Sequence, residues 1–382
     1  MLFRSWSDDY TEATAKFVCE NDANHVKEVK AEVTKEEGPE YTVYTAKVTG
    51  PDGKPYEDEQ AVEVIYDDIL RIFGDNRYTT AFKNADKLKE VLRVSKFDAV
   101  VVATGTNFPD SLSGAYLANV KNAPMLLINA KEAQNVCSYI KNNLNNGGTI
   151  YILGGEGVVK SEWLADLSYN KVRLGGDTRY DTNLEVLKEV GYKGGDILAA
   201  TGVNYPDSLS GSSLNMPIIL VKGDTLMSQQ ETFLNGLTSK PNFYIAGGTG
   251  AVSAGMENVL KTKGTIAKRF AGSDRYETSR LIAEEFFKNP SKAILAVGNN
   301  FPDGLSVGPL AAKMKAPILL AYNNDKSVEA SKYTKAHSIK TGIVIGGPLL
   351  IWDATAKEVL HNDTIIIYEE GMYLKPIDEY QN

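Results

Sequence analysis

The sequence predicts an α/β protein built of three tandem Rossmann-like units, each a parallel sheet covered by helices, preceded by a small antiparallel β module. Two observations carry this. First, three short strings recur in one order along the 382 residues. Gly74-Asp75-Asn76-Arg77-Tyr78-Thr79-Thr80 returns as Gly176-Asp177-Thr178-Arg179-Tyr180-Asp181-Thr182 and as Gly272-Ser273-Asp274-Arg275-Tyr276-Glu277-Thr278. Asn107-Phe108-Pro109-Asp110-Ser111 returns as Asn204-Tyr205-Pro206-Asp207-Ser208 and as Asn300-Phe301-Pro302-Asp303-Gly304. Gly154-Gly155 returns as Gly247-Gly248 and Gly346-Gly347. The spacings are 102 and 96, 97 and 96, and 93 and 99 residues. These are too long for a solenoid repeat, so each unit is a subdomain. Second, each unit contains continuous apolar runs, the pattern of strands buried on both faces.

In the first unit those runs are Ala99–Ala103, Met125–Ile128 and Ile150–Leu153. The second unit has them at 197–200, 218–221 and 243–246, and the third at 293–297, 318–321 and 343–345. Segments of helical spacing lie between, such as Leu281-Ile282-x-x-x-Phe286-Phe287. Strand alternating with helix means a parallel sheet. A further strand is expected before each Arg-Tyr string: Val62–Ile65 or Ile69–Phe73, then Lys171–Leu174, then Ile266–Phe270. Thr364–Tyr368 is a run of the same kind with no Arg-Tyr string behind it, so the array is expected to close there with a strand and a tail. Residues 1–66 instead alternate, in Ala13–Cys19, Lys27–Val33 and Tyr41–Val48, with a turn at Pro51–Pro55. The expected boundaries are 1–66 for the β module, 67–170, 171–265 and 266–368 for the units, and 369–382 for the tail.

The formal charge is −8, but residues 1–73 hold 17 acids against 8 bases and the remainder 32 against 33. The acidity belongs to the N-terminal segment, and the three-unit body is neutral. Nucleic acid is therefore not expected as a partner, because phosphate binding needs a basic surface. No apolar stretch approaches the ~18–20 residues that cross a bilayer, so no membrane insertion is expected. Two cysteines and three scattered histidines make neither a disulfide framework nor a zinc signature. No metal and no cofactor are expected. Met1–Trp6 lacks a signal-peptide core and runs at once into a strand pattern, so the expectation is an incomplete N-terminus.

The recurring polar residues fall at the carboxyl ends of strands, where α/β proteins bind ligands. Asp110, Asp207 and Asp303 follow a proline placed for the first helical position. Each reads as a carboxylate satisfying the helix dipole or as a contact to a ligand. Asn76, Thr178 and Asp274 suit N-caps, with Thr79, Asp181 and Glu277 as capping-box partners. That leaves Arg77, Arg179 and Arg275 unexplained, since arginine opposes the dipole in a first helical turn. They read as ion-pair partners of the Asp string or as clamps on an anionic ligand. Tyr78, Tyr180 and Tyr276 read as core or as platforms for a sugar ring. The glycine pairs read as close packing of strand on helix or as phosphate cradles, though they match neither dinucleotide nor P-loop fingerprints. No histidine recurs with the repeats and Cys137 stands alone at core spacing, so no catalytic residue is expected.

With these strings in hand, residues 74–368 resemble three tandem type 2 cell-wall-binding repeats of clostridial and related Gram-positive surface proteins. The resemblance rests on the Gly-x-x-Arg-Tyr-x-Thr opening, the Asn-Phe-Pro-Asp-Ser-Leu-Ser loop, Ala123-Pro124 and Ala316-Pro317 at a strand start, and the Gly-Gly loop. It implies a pseudo-threefold arrangement within one monomeric chain. It also implies non-catalytic, surface-layer-associated anchoring at the extracellular face of the wall through an anionic secondary wall polysaccharide. Carried over, the polymer-binding residues are Arg77, Arg179, Arg275, Asp110, Asp207, Asp303, Asn107, Asn204 and Asn300. Ser273 and Gly304 in the third unit, Met216-Pro217, and a shortening around Ser212–Met216 in the second depart from the pattern, so equal binding by the three units is not implied. The first 66 residues resemble, less specifically, small β modules of Firmicutes surface proteins. The alternative reading is an α/β enzyme acting on a nucleotide or sugar at the strand-end loops.

Overall fold

The computed structural model describes residues 2–7, 10–19, 22–37, 41–63, 68–299 and 303–369. The chain divides into two compact units, one up to residue 65 and one over 66–370. The first contains β1 (Leu2–Trp6), β2 (Ala13–Cys19), β3 (Asp22–Lys30), β4 (Glu32–Glu37), β5 (Tyr41–Thr49) and β6 (Pro55–Glu63). They form two antiparallel sheets, β1-β2-β3 and β4-β5-β6. The run Lys27–Val33, expected as one strand, is broken at Ala31. That residue is buried and its N–H donates to Ala13 O, where the chain leaves one sheet for the other. The shared core is Ala13, Ala15, Ala31, Ala46 and Val48, with Trp6 and Tyr56 against it. Val62 lies within β6, so the first of the two candidate fourth strands belongs to this module.

The second unit opens with β7 (Ile69–Ile72), α1 (Arg77–Leu92), β8 (Phe97–Thr104), α2 (Pro109–Val120), β9 (Met125–Ile128), α3 (Ala133–Asn143) and β10 (Leu144–Leu153). The second repeat is β11 (Asn170–Leu174), α4 (Arg179–Glu189), β12 (Gly195–Thr201), α5 (Pro206–Gly211), β13 (Ile218–Val221), α6 (Ser228–Asn235), β14 (Pro241–Ala246) and α7 (Ala254–Lys263). The third is β15 (Thr265–Phe270), α8 (Arg275–Phe286), β16 (Ala293–Val297), α9 (Gly308–Lys313), β17 (Ile318–Ala321), α10 (Val328–Ala336), β18 (Gly342–Ile345), α11 (Asp353–Leu360) and β19 (Ile365–Ile367). Where the first repeat has a 12-residue α2, the third has a 3-10 turn, Asp303–Ser306, before α9.

The sheets are parallel, as continuous apolar runs demand, and each takes its fourth strand from the segment leading into the next repeat. Their orders are β11-β10-β8-β9, β13-β12-β14-β15 and β17-β16-β18-β7-β19. The third sheet's fourth strand is thus β7, from ahead of the first repeat, in register with β18 from Gly342↔Ile69 to Ile345↔Ile72. The run at Thr364–Tyr368 holds a strand as expected, β19, the last one among the described residues. β19 lies outside β7 as a fifth, edge strand: every residue of β7 is at most 2% exposed, whereas Ile367 is 51% exposed.

Helices join the repeats in a ring. α2 packs on α4, α5 on α8 and α9 on α1, so each repeat meets the next and the third meets the first. α2 also touches α9, and Gly304 and Gly308 approach Leu209 and Ser212 so closely that a Cβ at either would meet them at 2.8 and 3.0 Å. Equivalent helices therefore line one pseudo-threefold axis.

Candidate functional site: three equivalent seams

Arg77, Arg179 and Arg275 are the first residues of α1, α4 and α8. Asn76 and Thr178 close capping boxes with Thr79 and Asp181. Asp274 caps Tyr276 and Glu277, but the Glu277 carboxylate accepts from Ser273 N–H, one residue further out than a capping box requires. Each arginine then bends back to its own repeat. Nη1 of Arg77, Arg179 and Arg275 donates to the carbonyl of Gly105, Gly202 and Gly298, each at 2.6 Å. These carbonyls end the strand before the Asn-aromatic-Pro-Asp loop. Tyr78, Tyr180 and Tyr276, each 7% exposed, pack against the same glycines, where a Cβ would meet the ring at 2.4 to 2.6 Å. The tyrosines are core.

The other wall of each seam comes from the preceding repeat. The Arg179 guanidinium lies 5.8 Å from the centroid of the Phe108 ring, and that of Arg275 lies 5.7 Å from the Tyr205 ring. Phe108 and Tyr205 meet edge to face at 5.8 Å, so the aromatic loop residues of the first two repeats converge. Tyr205 adds a link that phenylalanine cannot: its hydroxyl donates to Gly298 O and accepts from Arg275 Nη1.

The acids face the same arginines. Burial raises the carboxyl of Asp110, opposed by the Thr182 hydroxyl and the charge of Arg179. It raises that of Asp303, opposed by Thr80 and Arg77. Asp207 is pushed up to about 6 by burial, opposed by Arg275 alone. The seams therefore run Asp110 to Arg179, Asp207 to Arg275 and Asp303 to Arg77, closing the circle. Among the described residues none of these acids pairs directly with its arginine; the arginine bonds a glycine carbonyl instead. Each acid lies against the first glycine of the Gly-Gly loop. Gly154, Gly247 and Gly346 have φ of +94°, +101° and +98°, and a Cβ there would sit 2.8, 2.4 and 3.2 Å from Oδ2 of Asp110, Asp207 and Asp303. Close approach, not phosphate cradling, accounts for the glycines.

Asn107 and Asn204 are exposed, and their side-chain oxygens accept from the N–H of Phe108 and Tyr205. Asn300 lies outside the described residues. The structure thus sets each aspartate against the arginine of the next repeat, while each arginine is held by a glycine carbonyl of its own repeat.

A second arginine set escaped the motif reading. Arg71, Arg173 and Arg269 lie three residues before Gly74, Gly176 and Gly272, on the fourth strand of each sheet. Each donates to the carbonyl of the first loop glycine, Gly346, Gly154 and Gly247, at 2.8 to 2.9 Å. Carboxylates of Asp353, Glu156 and Glu257 pair with them. The constant offset of Arg from Gly was the available signal. These arginines brace the loops that hold the aspartates. Among the described residues no cluster of three His, Cys, Asp or Glu forms, and no helix is long and apolar enough to cross a membrane.

A family model described as cell wall binding domain 2 matches residues 71–164, 173–257 and 269–356. The chain is 27% identical over 291 residues to the N-acetylmuramoyl-L-alanine amidase LytC of Bacillus subtilis, covering 73% of this chain and 55% of that protein. It is 31% identical over 152 residues to the amidase enhancer of the same organism, covering 40% of this chain and 20% of that one. The chain therefore spans about half the length, or less, of these relatives. Among solved structures, Cwp6 from Clostridium difficile superposes with a TM-score of 0.71 at 21% identity, over 93% of this chain and 64% of that one. Cwp8 from the same organism superposes with 0.65 at 23% identity, over 86% and 60%.

Proposed function

This chain belongs to the cell wall binding domain 2 family, and from that premise we propose that it anchors a surface protein by multivalent, non-covalent binding of an anionic secondary wall polysaccharide. The repeats are cell-wall-binding repeats and the protein is associated with the cell surface. The anionic ligand and the absence of catalysis are our own inference. The observation that carries it is the state of the seam arginines. Arg179 and Arg275 spend only Nη1 on the protein, and among the described residues their Nε and Nη2 donors make no other hydrogen bond. A guanidinium fixed by a carbonyl and an aromatic face, with its fork uncommitted, suits phosphate or carboxylate groups. Two such forks, at Arg179 and Arg275, with the equivalent Arg77 in the third seam, let a repeating polymer engage several seams at once, so weak contacts multiply into avidity. The amidase activity in one relative's name belongs to that whole protein, of which this chain matches about half.

Stepwise replacement tests the arginine assignment. Arg77→Gln, Arg179→Gln and Arg275→Gln, singly and combined in the full chain, are expected to weaken binding to Gram-positive walls progressively. The cost should be about tenfold for each arginine that engages the polymer, the scale of one charge-assisted contact. Wall binding intact in the triple variant would remove the arginines from the site.

A further inference from the structure

The Gly-Gly loop of the third repeat carries large apolar side chains where the other two loops have small or polar ones. Counted from the glycine pair, Pro348, Leu349 and Trp352 occupy the places of Glu156, Gly157 and Lys160 in the first repeat and of Thr249, Gly250 and Ser253 in the second. Within this loop Leu350 and Ile351 turn inward to the core of the third sheet, whereas Leu349 is 88% exposed and Trp352 49%. A Cβ at Gly157 or Gly250 would meet nothing within 4 Å, so the fold offers a side chain at this place nothing to pack on. Trp352 donates its backbone N–H to Asn323 Oδ1, and among the described residues its indole N–H makes no hydrogen bond.

The loop is fixed next to the seam between the third and first repeats. Its first glycine lies beside Asp303, where a Cβ would sit 3.2 Å from Oδ2, and a Cβ at Gly347 would sit 3.7 Å from the Phe73 ring. Arg71 grips both ends of it, through Nη1 on Gly346 O, Nη2 on Ile351 O and an ion pair with Asp353. An indole held out in water, with two apolar faces and one donor at its edge, suits a ligand divided the same way. A sugar ring is such a ligand, with a C–H face and a rim of hydroxyls. Two side chains offer roughly 200–300 Å², far below the ~800 Å² per partner that a stable protein interface buries. Resting on the anchoring role above, we propose that Trp352, flanked by Leu349, is a stacking platform for a sugar ring of the wall polymer beside the Asp303–Arg77 seam. Only the third repeat carries this platform, so the three repeats do not hold the polymer alike.

Sedimentation isotherms of the full chain on Gram-positive walls that retain their phosphodiester-linked polymer test this. Trp352→Ala is expected to weaken binding about tenfold, the scale of one aromatic contact with its buried face. Trp352→Phe, which keeps an aromatic face without the N–H, is expected to fall between that variant and the unmodified chain. Leu349→Gly, which restores the residue of the other two repeats, is expected to weaken binding about threefold. Both side chains face solvent, so the Tm of each variant should stay at the unmodified value. Unmodified affinity in Trp352→Ala would overturn the platform while leaving anchoring in place. A dimer in sedimentation velocity that Trp352→Ala dissolves would overturn it too, because the patch would then be an interface between copies. Failure of the unmodified chain to bind walls would overturn the anchoring role, and the platform with it.

Discussion

Replacing Ile69 and Ile72 by aspartate is expected to unfold the third sheet, whose other strands begin with β16, more than two hundred residues later. Both residues have no exposed surface, and β7 is the strand that completes the third sheet between β18 and β19. Withdrawing two fully buried isoleucines forfeits about 1.5–3 kcal/mol each. Placing an unpaired carboxylate in each slot costs several kcal/mol more. The total rivals the ~5–15 kcal/mol that holds a whole domain together. Loss of β7 also frees the Gly346 loop, which Arg71 holds through Nη1 on Gly346 O and Nη2 on Ile351 O. Amide hydrogen exchange is the measurement. Protection should vanish in β16, β17 and β18 and persist, at least in part, in β8 and β10. Wild-type protection throughout the third sheet would mean that it stands without the donated strand.

Asp207→Asn is expected to stabilise the protein at neutral pH, by up to about 3 kcal/mol, and to leave it unchanged below about pH 4. The sign follows from the raised carboxyl, at about 6 in the folded chain against an ordinary 3.8. Between those values the folded state holds a proton that the unfolded state has released, so stability falls as pH rises through the window. Above about 6 both states are ionised and the folded state bears the full cost, about two pKa units at 1.36 kcal/mol each. Asparagine removes that cost and has nothing to relieve in acid. Differential scanning calorimetry of both proteins at pH 4 and pH 7 reads it directly, and equal Tm differences at the two pH values would contradict it.

The three-unit α/β architecture was legible because duplication preserved both the strings and their order, and because a parallel sheet writes itself as unbroken apolar runs such as Val100–Ala103. The partnership of β7 was not. Nothing local in Ile69–Ile72 distinguishes pairing with a strand 273 residues away from pairing nearby. Lys27–Val33 misled for a related reason: alternation continues through Ala31 although the hydrogen-bonding partners change there. At the site, the strings named the arginines and aspartates that face one another across the seams, but not that each seam draws on two repeats. The periodicity of a repeat is the same whether its residues face their own unit or the next. Arg71, Arg173 and Arg269 were hidden because they recur on strands whose neighbours vary, with Asp353, Glu156 and Glu257 at different offsets as their acids.

The proposed ligand of this chain is an anionic wall polymer held by the seam arginines. Co-sedimentation of the purified chain with Gram-positive cell walls, before and after hydrofluoric acid removes phosphodiester-linked polymers, is the measurement that decides it. The chain is expected to pellet with intact walls and to stay in solution with stripped ones. Equal pelleting with both would show that bare peptidoglycan is the ligand and would rule out the anionic polymer.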